Sequence, residues 1–315
     1  MHFSVAGVEV NPLVPPLVAF VISVFTSMGG VSGAFLLLPF QVSVLGFTSP
    51  AVSATNQLYN VVAIPSGVWR YIREGRMAWP LTWIVVVGTL PGVFIGALIR
   101  VTFLPDPRDF KLFMGVVLFY IGSRLLRDLL QRLDDPERTT SAEVRFQELI
   151  RGYHRRLADG EDLPRILVEQ SSLRRVAYSF YGERFEVPVF PILGISALVG
   201  VVGGTYGIGG GAIIAPLYVT YFRLPVYTVA GATLMGTLVT SVAGVACYHV
   251  LAPFHPDLQV APDWLLGLLF GVGGFAGMYC GARLQKFVPA RAIKGILATC
   301  LFALSGRYLV ESLRR

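Results

Sequence analysis

The chain has 315 residues, 54% of them hydrophobic and only 14% charged, with a mean hydropathy of +0.64. Long apolar stretches separated by short turns exclude an ordinary soluble domain, because about 20 such residues span the hydrocarbon of a bilayer. The net charge of +7 would suit nucleic acid, but the basic surplus stands at the edges of apolar segments, where lysine and arginine set membrane orientation. Nucleic-acid binding is therefore set aside, and the composition reads as a polytopic, all-α membrane protein.

At the N-terminus, "MHFSVAGVEVNPLVPPLVAF" lacks a basic leader and a small-residue cleavage site, so the first apolar segment is expected to be retained. Membrane segments are predicted near residues 13–45, 50–69, 80–99, 110–127, 188–222, 226–251, 263–282 and 292–310. Two are too long. A helix over 13–45 would run roughly 50 Å, against a hydrocarbon core of about 30 Å. Glycines interrupt both long runs, "TSMGGVSGAF" in the first and "GTYGIGGGAI" in the second, so each reads as two short helices meeting at a break. Between the halves, residues 131–186 hold 10 basic and 11 acidic side chains, nearly half of all the charges. There Val144, Phe146, Leu149, Ile150, Tyr153 and Leu157 recur at near-helical spacing, which predicts an amphipathic helix in a cytoplasmic connector. Cys247, Cys280 and Cys300 lie apart without CxxC spacing. They signal neither a zinc site nor a disulfide framework and read as small core residues.

The breaks belong to an internal repeat. "VSGAFLLLP" (31–39) aligns with "IGGGAIIAP" (208–216), "SATNQL" with "GATLM", "GTLPGVFIGA" (88–97) with "GGFAGMYCGA" (273–282), and "LFYIGSRLL" with "LFALSGRYL". Four matches in one order divide the chain into a first membrane repeat (1–130), the charged insert (131–186) and a second membrane repeat (187–315). The glycines of the third match are assigned to close helix packing, so Gly277→Ala is expected to be tolerated or to act through folded yield. Arg70, Arg73 and Arg76 cluster after the second segment, and Arg283, Lys286, Arg291 and Lys294 before the last, whereas 252–262 has no lysine or arginine. If each broken run makes a pair of elements, both clusters and the insert fall inside and both termini outside. Five elements per half, an odd number, predict an inverted repeat.

A helix interrupted within the membrane carries unpaired backbone groups that cost several kcal/mol unless they meet a cavity or a ligand. The helix that follows a break presents free N–H groups and a partial positive charge, which is a site for an anion. The candidate binding residues are therefore Gly29, Gly30, Ser32 and Gly33 at the first break and Tyr206, Gly209, Gly210 and Gly211 at the second. The polar side chains Thr55, Asn56, Gln57, Asn60, Thr233, Thr237 and Thr240 stand inside apolar runs. Of these, Asn56 and Gln57, whose amides can donate to an oxyanion, and Thr233 are added to the site. No acidic residue lies well inside an apolar run, so replacing Glu9, Asp257 or Asp263 is expected to leave transport intact. Proton coupling then falls to His249, a tyrosine or the substrate, with His249 read as a polar residue at a helix end. No metal ligand set, cofactor motif or nucleotide-binding loop is signalled.

The paired motifs "GVSGAFLLLP" and "GIGGGAIIAP", followed by "SAT" and "GAT", resemble the TauE/SafE family of sulfite exporters, also called the 4-toluene sulfonate uptake permease family. The resemblance covers residues 13–127 and 188–312. It departs at "MGGVSG", where the family's glycines are denser, and at the long insert. It implies a plasma-membrane carrier, not an enzyme, for a small sulfur-containing or organic anion such as sulfite, sulfoacetate or a sulfonate. An anion channel would share the breaks. An intramembrane enzyme would need a nucleophile and base, and Ser32 and His249 stand in opposite halves without a catalytic motif.

Overall fold

The two over-long runs each fold as a helix, a break and a returning segment. In the first, α1 (Val14–Met28) is followed by α2 (Ala34–Ser43). In the second, a long helix, Val189–Tyr206, ends at Gly207, and helical backbone resumes at 213–215 and 217–218. The computed structural model describes residues 1–28, 32–73, 77–134, 167–172, 174–180, 183–210, 213–215, 217–218, 222, 224, 226–284 and 290–313. The remaining helices of the first half are α3 (Ala51–Ala63), α4 (Pro65–Arg73), α5 (Trp79–Thr102) and α6 (Pro107–Asp134). The second half has α7 (Val189–Tyr206), α8 (Val226–Leu251), α9 (Trp264–Leu284) and α10 (Ala290–Leu313). Four stretches, Trp79–Thr102, Val189–Tyr206, Val229–Phe254 and Trp264–Gly281, are long and apolar enough to cross a membrane. Their outer faces suit lipid: Trp83, Val87 and Leu98 on α5 and Leu268, Val272 and Phe275 on α9 are exposed.

Glycines set which helices touch, and in which direction. Along α5, Gly88, Gly92 and Gly96 have no room for a Cβ because the α7 backbone at Leu193, Ala197 and Val201 lies against them in the same order. Along α9, Gly273, Gly277 and Gly281 meet Pro16, Phe20 and Val24 of α1, again in the same order. Each opening helix thus packs parallel to the next-to-last helix of the other half. With no hydrophobic drive between helices in lipid, backbone approach at small residues supplies the contact. The last elements pair antiparallel, Gly115 of α6 facing Tyr308 and Leu309 of α10, and Gly122 facing Leu301 and Phe302.

Hydrogen bonds collect several ends on one face. Ala6 N–H donates to Asp263 Oδ2 at 3.2 Å, Ala51 N–H to Gln259 O at 2.8 Å and Lys111 Nζ to Glu311 Oε2 at 3.0 Å. The N-terminal strand pair β1 (His2–Phe3) and β2 (Val8–Glu9), the start of α3, the 252–263 connection, the start of α6 and the end of α10 therefore share what we term the hairpin face. Returning segments fold back toward the face from which they came: Tyr218 bonds Ser196 of α7, and Ser43 of α2 bonds Tyr308 of α10.

Three sequence expectations change. Over residues 167–188 the insert is an antiparallel sheet, β3 (Leu167–Ser171), β4 (Arg175–Phe180) and β5 (Glu183–Pro188), in that order, not a helix. Large apolar residues recur at period two in these strands, which buries Val176, Tyr178 and Val187, and the small Ala177 between the first two is buried as well. The amphipathic stretch 144–157 lies outside the described residues. Cys300 is exposed rather than part of the core. Asp263 is buried: its Oδ1 accepts the N–H of Leu266 at 3.0 Å and caps α9, and its own N–H donates to Thr55 Oγ1 at 2.9 Å.

Candidate functional site

From Ala51 to Asn60, every residue of α3 is buried, although the stretch carries two asparagines, a glutamine, a serine and a threonine. Buried polar groups need partners, and most of these find them at the two breaks. Asn56 Nδ2 donates to Ala34 O at 2.9 Å and to Gly207 O at 3.0 Å, while its Oδ1 accepts from Gln41 Nε2 at 3.2 Å. One turn on, Asn60 Nδ2 donates to Ile208 O at 3.1 Å, and its Oδ1 accepts from Ser32 Oγ at 2.6 Å. Ser53 Oγ donates to Thr205 O at 3.0 Å, and Gln57 Nε2 to Gly204 O at 3.4 Å. From α8, Tyr248 OH reaches the same Gly204 O at 2.9 Å. Tyr206 OH crosses to Phe35 O at 3.1 Å. Both breaks therefore hang from a single helix.

This network has an electrostatic consequence. The last carbonyls of α7 form the negative end of a helix and would repel an anion. Those of Gly204, Thr205, Gly207 and Ile208 are each capped by a side-chain donor. The Gly203 carbonyl is taken by the N–H groups of Gly207 and Ile208, at 2.8 and 3.1 Å. Among the described residues, the N–H groups of Gly209 and Gly210 have no hydrogen-bond partner.

Only glycine suits this path. Gly207 and Gly209 have φ of +86° and +64°, a region that costs other L-residues roughly 1–2 kcal/mol. A Cβ on Gly207 would run into the backbone of Ser53, and one on Gly209 would lie 2.6 Å from Thr237 Cγ2 and 3.2 Å from Ser241 Oγ of α8. Ser241 Oγ is buried and, among the described residues, has no hydrogen-bond partner; the same holds for Gln57 Oε1. Gly210 faces Thr89 of α5, 3.1 Å from a built Cβ. The second break thus leaves two free backbone amides and a free hydroxyl buried close together with no charged side chain among them, donors of the kind an oxyanion accepts from.

The family profile described as sulfite exporter TauE/SafE matches residues 16–308. The chain belongs to the TauE/SafE family. A relative, the probable membrane transporter protein YdhB of Bacillus subtilis (strain 168), is 31% identical over 113 residues, which are 35% of this chain. The match spans 42% of that relative's own length. No solved structure gives a significant match.

Within this TauE/SafE chain, Ser32, Asn56, Gln57 and Tyr206 gather where the breaks meet α3, with Gly33 beside Tyr59 of the same helix and Gly209 and Gly210 toward α8 and α5. Gly29, Gly30 and Gly211 lie outside the described residues. Asn56 and Tyr206 cap backbone: both amide N–H groups of the one and the hydroxyl of the other already have acceptors. Thr233 bonds its own helix, at Val229 O, 3.0 Å. Ser241 escapes a motif-based reading because it belongs to no glycine motif, and Thr89 because its motif, GTLPGVFIGA, reads as helix packing. A signal for Ser241 does exist: Thr233, Thr237 and Ser241 recur at four-residue spacing, one face of α8. His249 is exposed at the end of α8 against Trp264, with ring centroids 6.1 Å apart.

Proposed function

We propose that this TauE/SafE protein is a secondary carrier of a small sulfur-containing or organic anion, such as sulfite, sulfoacetate or a sulfonate, across the plasma membrane, with the second break as its binding site. The single observation that carries this reading is the cluster at Gly209, Gly210 and Ser241, where free donors stand while neighbouring carbonyls are capped. The two halves are inverted repeats, residues 1–130 and 187–315, with the insert on the cytoplasmic side. Support comes from the reciprocal pairings of α1 with α9 and α5 with α7, both parallel, and of α6 with α10, antiparallel. Inverted repeats whose broken helices meet at depth suit alternating access around one site. Sulfite adds a route for coupling, since its second ionisation lies near neutrality and it can carry its own proton.

The test is transport into proteoliposomes of labelled sulfite, thiosulfate, sulfoacetate and carboxylates, with and without a pH gradient. Saturable uptake that is driven by counterflow is expected. Uptake that neither saturates nor exchanges identifies an anion channel, and competition by a cation moves the site away from the break.

A further inference from the structure

Arg100, in the last turn of α5, is fully buried. One terminal nitrogen donates to Thr48 O at 2.9 Å, the other donates to Leu104 O, and the guanidinium carbon lies 3.7 Å from the centre of the Phe110 ring. Its Nε has no hydrogen-bond partner, and among the described residues no carboxylate pairs with it. The nearby Asp106 Oδ1 instead accepts the N–H of Arg108 at 2.7 Å, and Glu311 pairs with Lys111 and Arg307. Two carbonyls and a ring could be satisfied by a neutral amide. Retaining an unneutralised charge in a buried position is costly, and a role toward an anion accounts for it.

The end of α7 that leads into the second break lies one turn away, and the break itself lies further along α5: Gly210 faces Thr89, eleven residues before Arg100 and so about 16 Å along the helix. Gly96, four residues before Arg100 on the same helix, packs on the backbone of Gly204 and Thr205, and its carbonyl accepts Thr205 Oγ1 at 3.0 Å. Tyr248, which caps Gly204, shares an apolar cluster with Ala97 and Val101 on either side of Arg100.

We propose that Arg100 is a positioning residue whose field sets the affinity of the break for anions and its preference for dianions over monoanions. The inference rests on the reading of the break as the anion site. The end of α5 offsets about half a unit of the charge, and a full unit about 16 Å along the helix at an effective dielectric of about 20 changes affinity roughly fivefold per unit of ligand charge.

The experiment measures competition by sulfate, a dianion, and methanesulfonate, a monoanion, against labelled sulfite uptake in proteoliposomes of the full chain. Arg100→Gln is expected to lower the ratio of sulfate to methanesulfonate affinity several-fold, up to about fivefold, and to raise the KM for sulfite with the maximal rate little changed. Arg100→Lys should restore the ratio. Thr48→Asp, which leaves the guanidinium in place and adds a negative charge on the residue whose backbone carbonyl it bonds, should lower the ratio as Arg100→Gln does, and decides the matter if Arg100→Gln does not reach the membrane. A ratio unmoved in these variants, with only yield or stability lost, overturns the inference and leaves a structural clamp. If the unaltered chain carries none of these anions, the reading of the break fails with it.

Discussion

At the scale of single residues, the second break separates side chains that hold the backbone from backbone that can hold a ligand. Gly210→Leu is expected to abolish transport while protein still reaches the membrane. A Cβ there would lie 2.9 Å from Ile214 Cδ1 and 3.1 Å from Thr89 Cγ2, both side-chain ends that can yield, so the branched residue fills the space before the amides without breaking a helix. Normal sulfite affinity in that variant would make the break a hinge or a packing feature. Asp263→Ala belongs to the opposite class. It removes the cap of α9 and leaves the N–H of Ala6 without its acceptor, at a cost of about 1 kcal/mol or more. A lower unfolding temperature in detergent is expected, with transport per folded molecule preserved; loss of turnover at unchanged stability would instead place Asp263 in coupling. The glycine strings were legible in the sequence because positive φ and backbone approach leave few alternatives to glycine. The partners of Asn56 were not, because an amide in an apolar helix can serve a ligand or a carbonyl equally well, and only the arrival of Ala34 and Gly207 decides between them.

At the scale of elements, the aligned glycines do the same work in both halves, and the structure chooses between the two outcomes expected for their loss, tolerance or an effect through folded yield. Gly277→Ala would drive a methyl into the carbonyl of Phe20 and to within 2.8 Å of Ser23 Cβ, which favours the second. The neighbour here includes backbone, so overpacking of about 1–3 kcal/mol is expected. Gly92→Ala, its counterpart against α7, should behave alike, whereas Gly306→Ala on α10 meets nothing within 4 Å and should leave folded yield unchanged. Equal yields for all three would remove the backbone contacts from the account of α5 and α9. The helix and break boundaries followed from hydrophobic length and glycine position, which act locally. The sheet at 167–188 did not, since the period-two spacing of Val176 and Tyr178 is short and lies in an insert read by its overall charge.

For the whole molecule, direction along each helix follows from which glycine meets which partner, and that order makes a topology that can be tested. Residues at the hairpin face include the N-terminal strands, the 252–263 connection and the end of α10. The end of α4 and the start of α5 lie at the opposite ends of helices that begin or finish there. Basic residues favour the cytoplasm, and Arg70 and Arg73 stand in the last turn of α4 while the 252–262 connection has no lysine or arginine. A cysteine placed at Asp257 in intact cells is therefore expected to react with an impermeant thiol reagent, and cysteines at Arg73 and Arg291 to be protected until the membrane is opened. The native Cys300 is exposed on α10 and Cys247 and Cys280 are half-buried, so all three are first replaced by serine. Labelling of Arg73 and Arg291 with protection of Asp257 would reverse the orientation but keep the two faces. Labelling of Asp257 and Arg73 from the same side would be fatal to the inverted arrangement, because α3 and α4 would then no longer carry the chain from one face to the other, and the breaks could not enter from opposite sides.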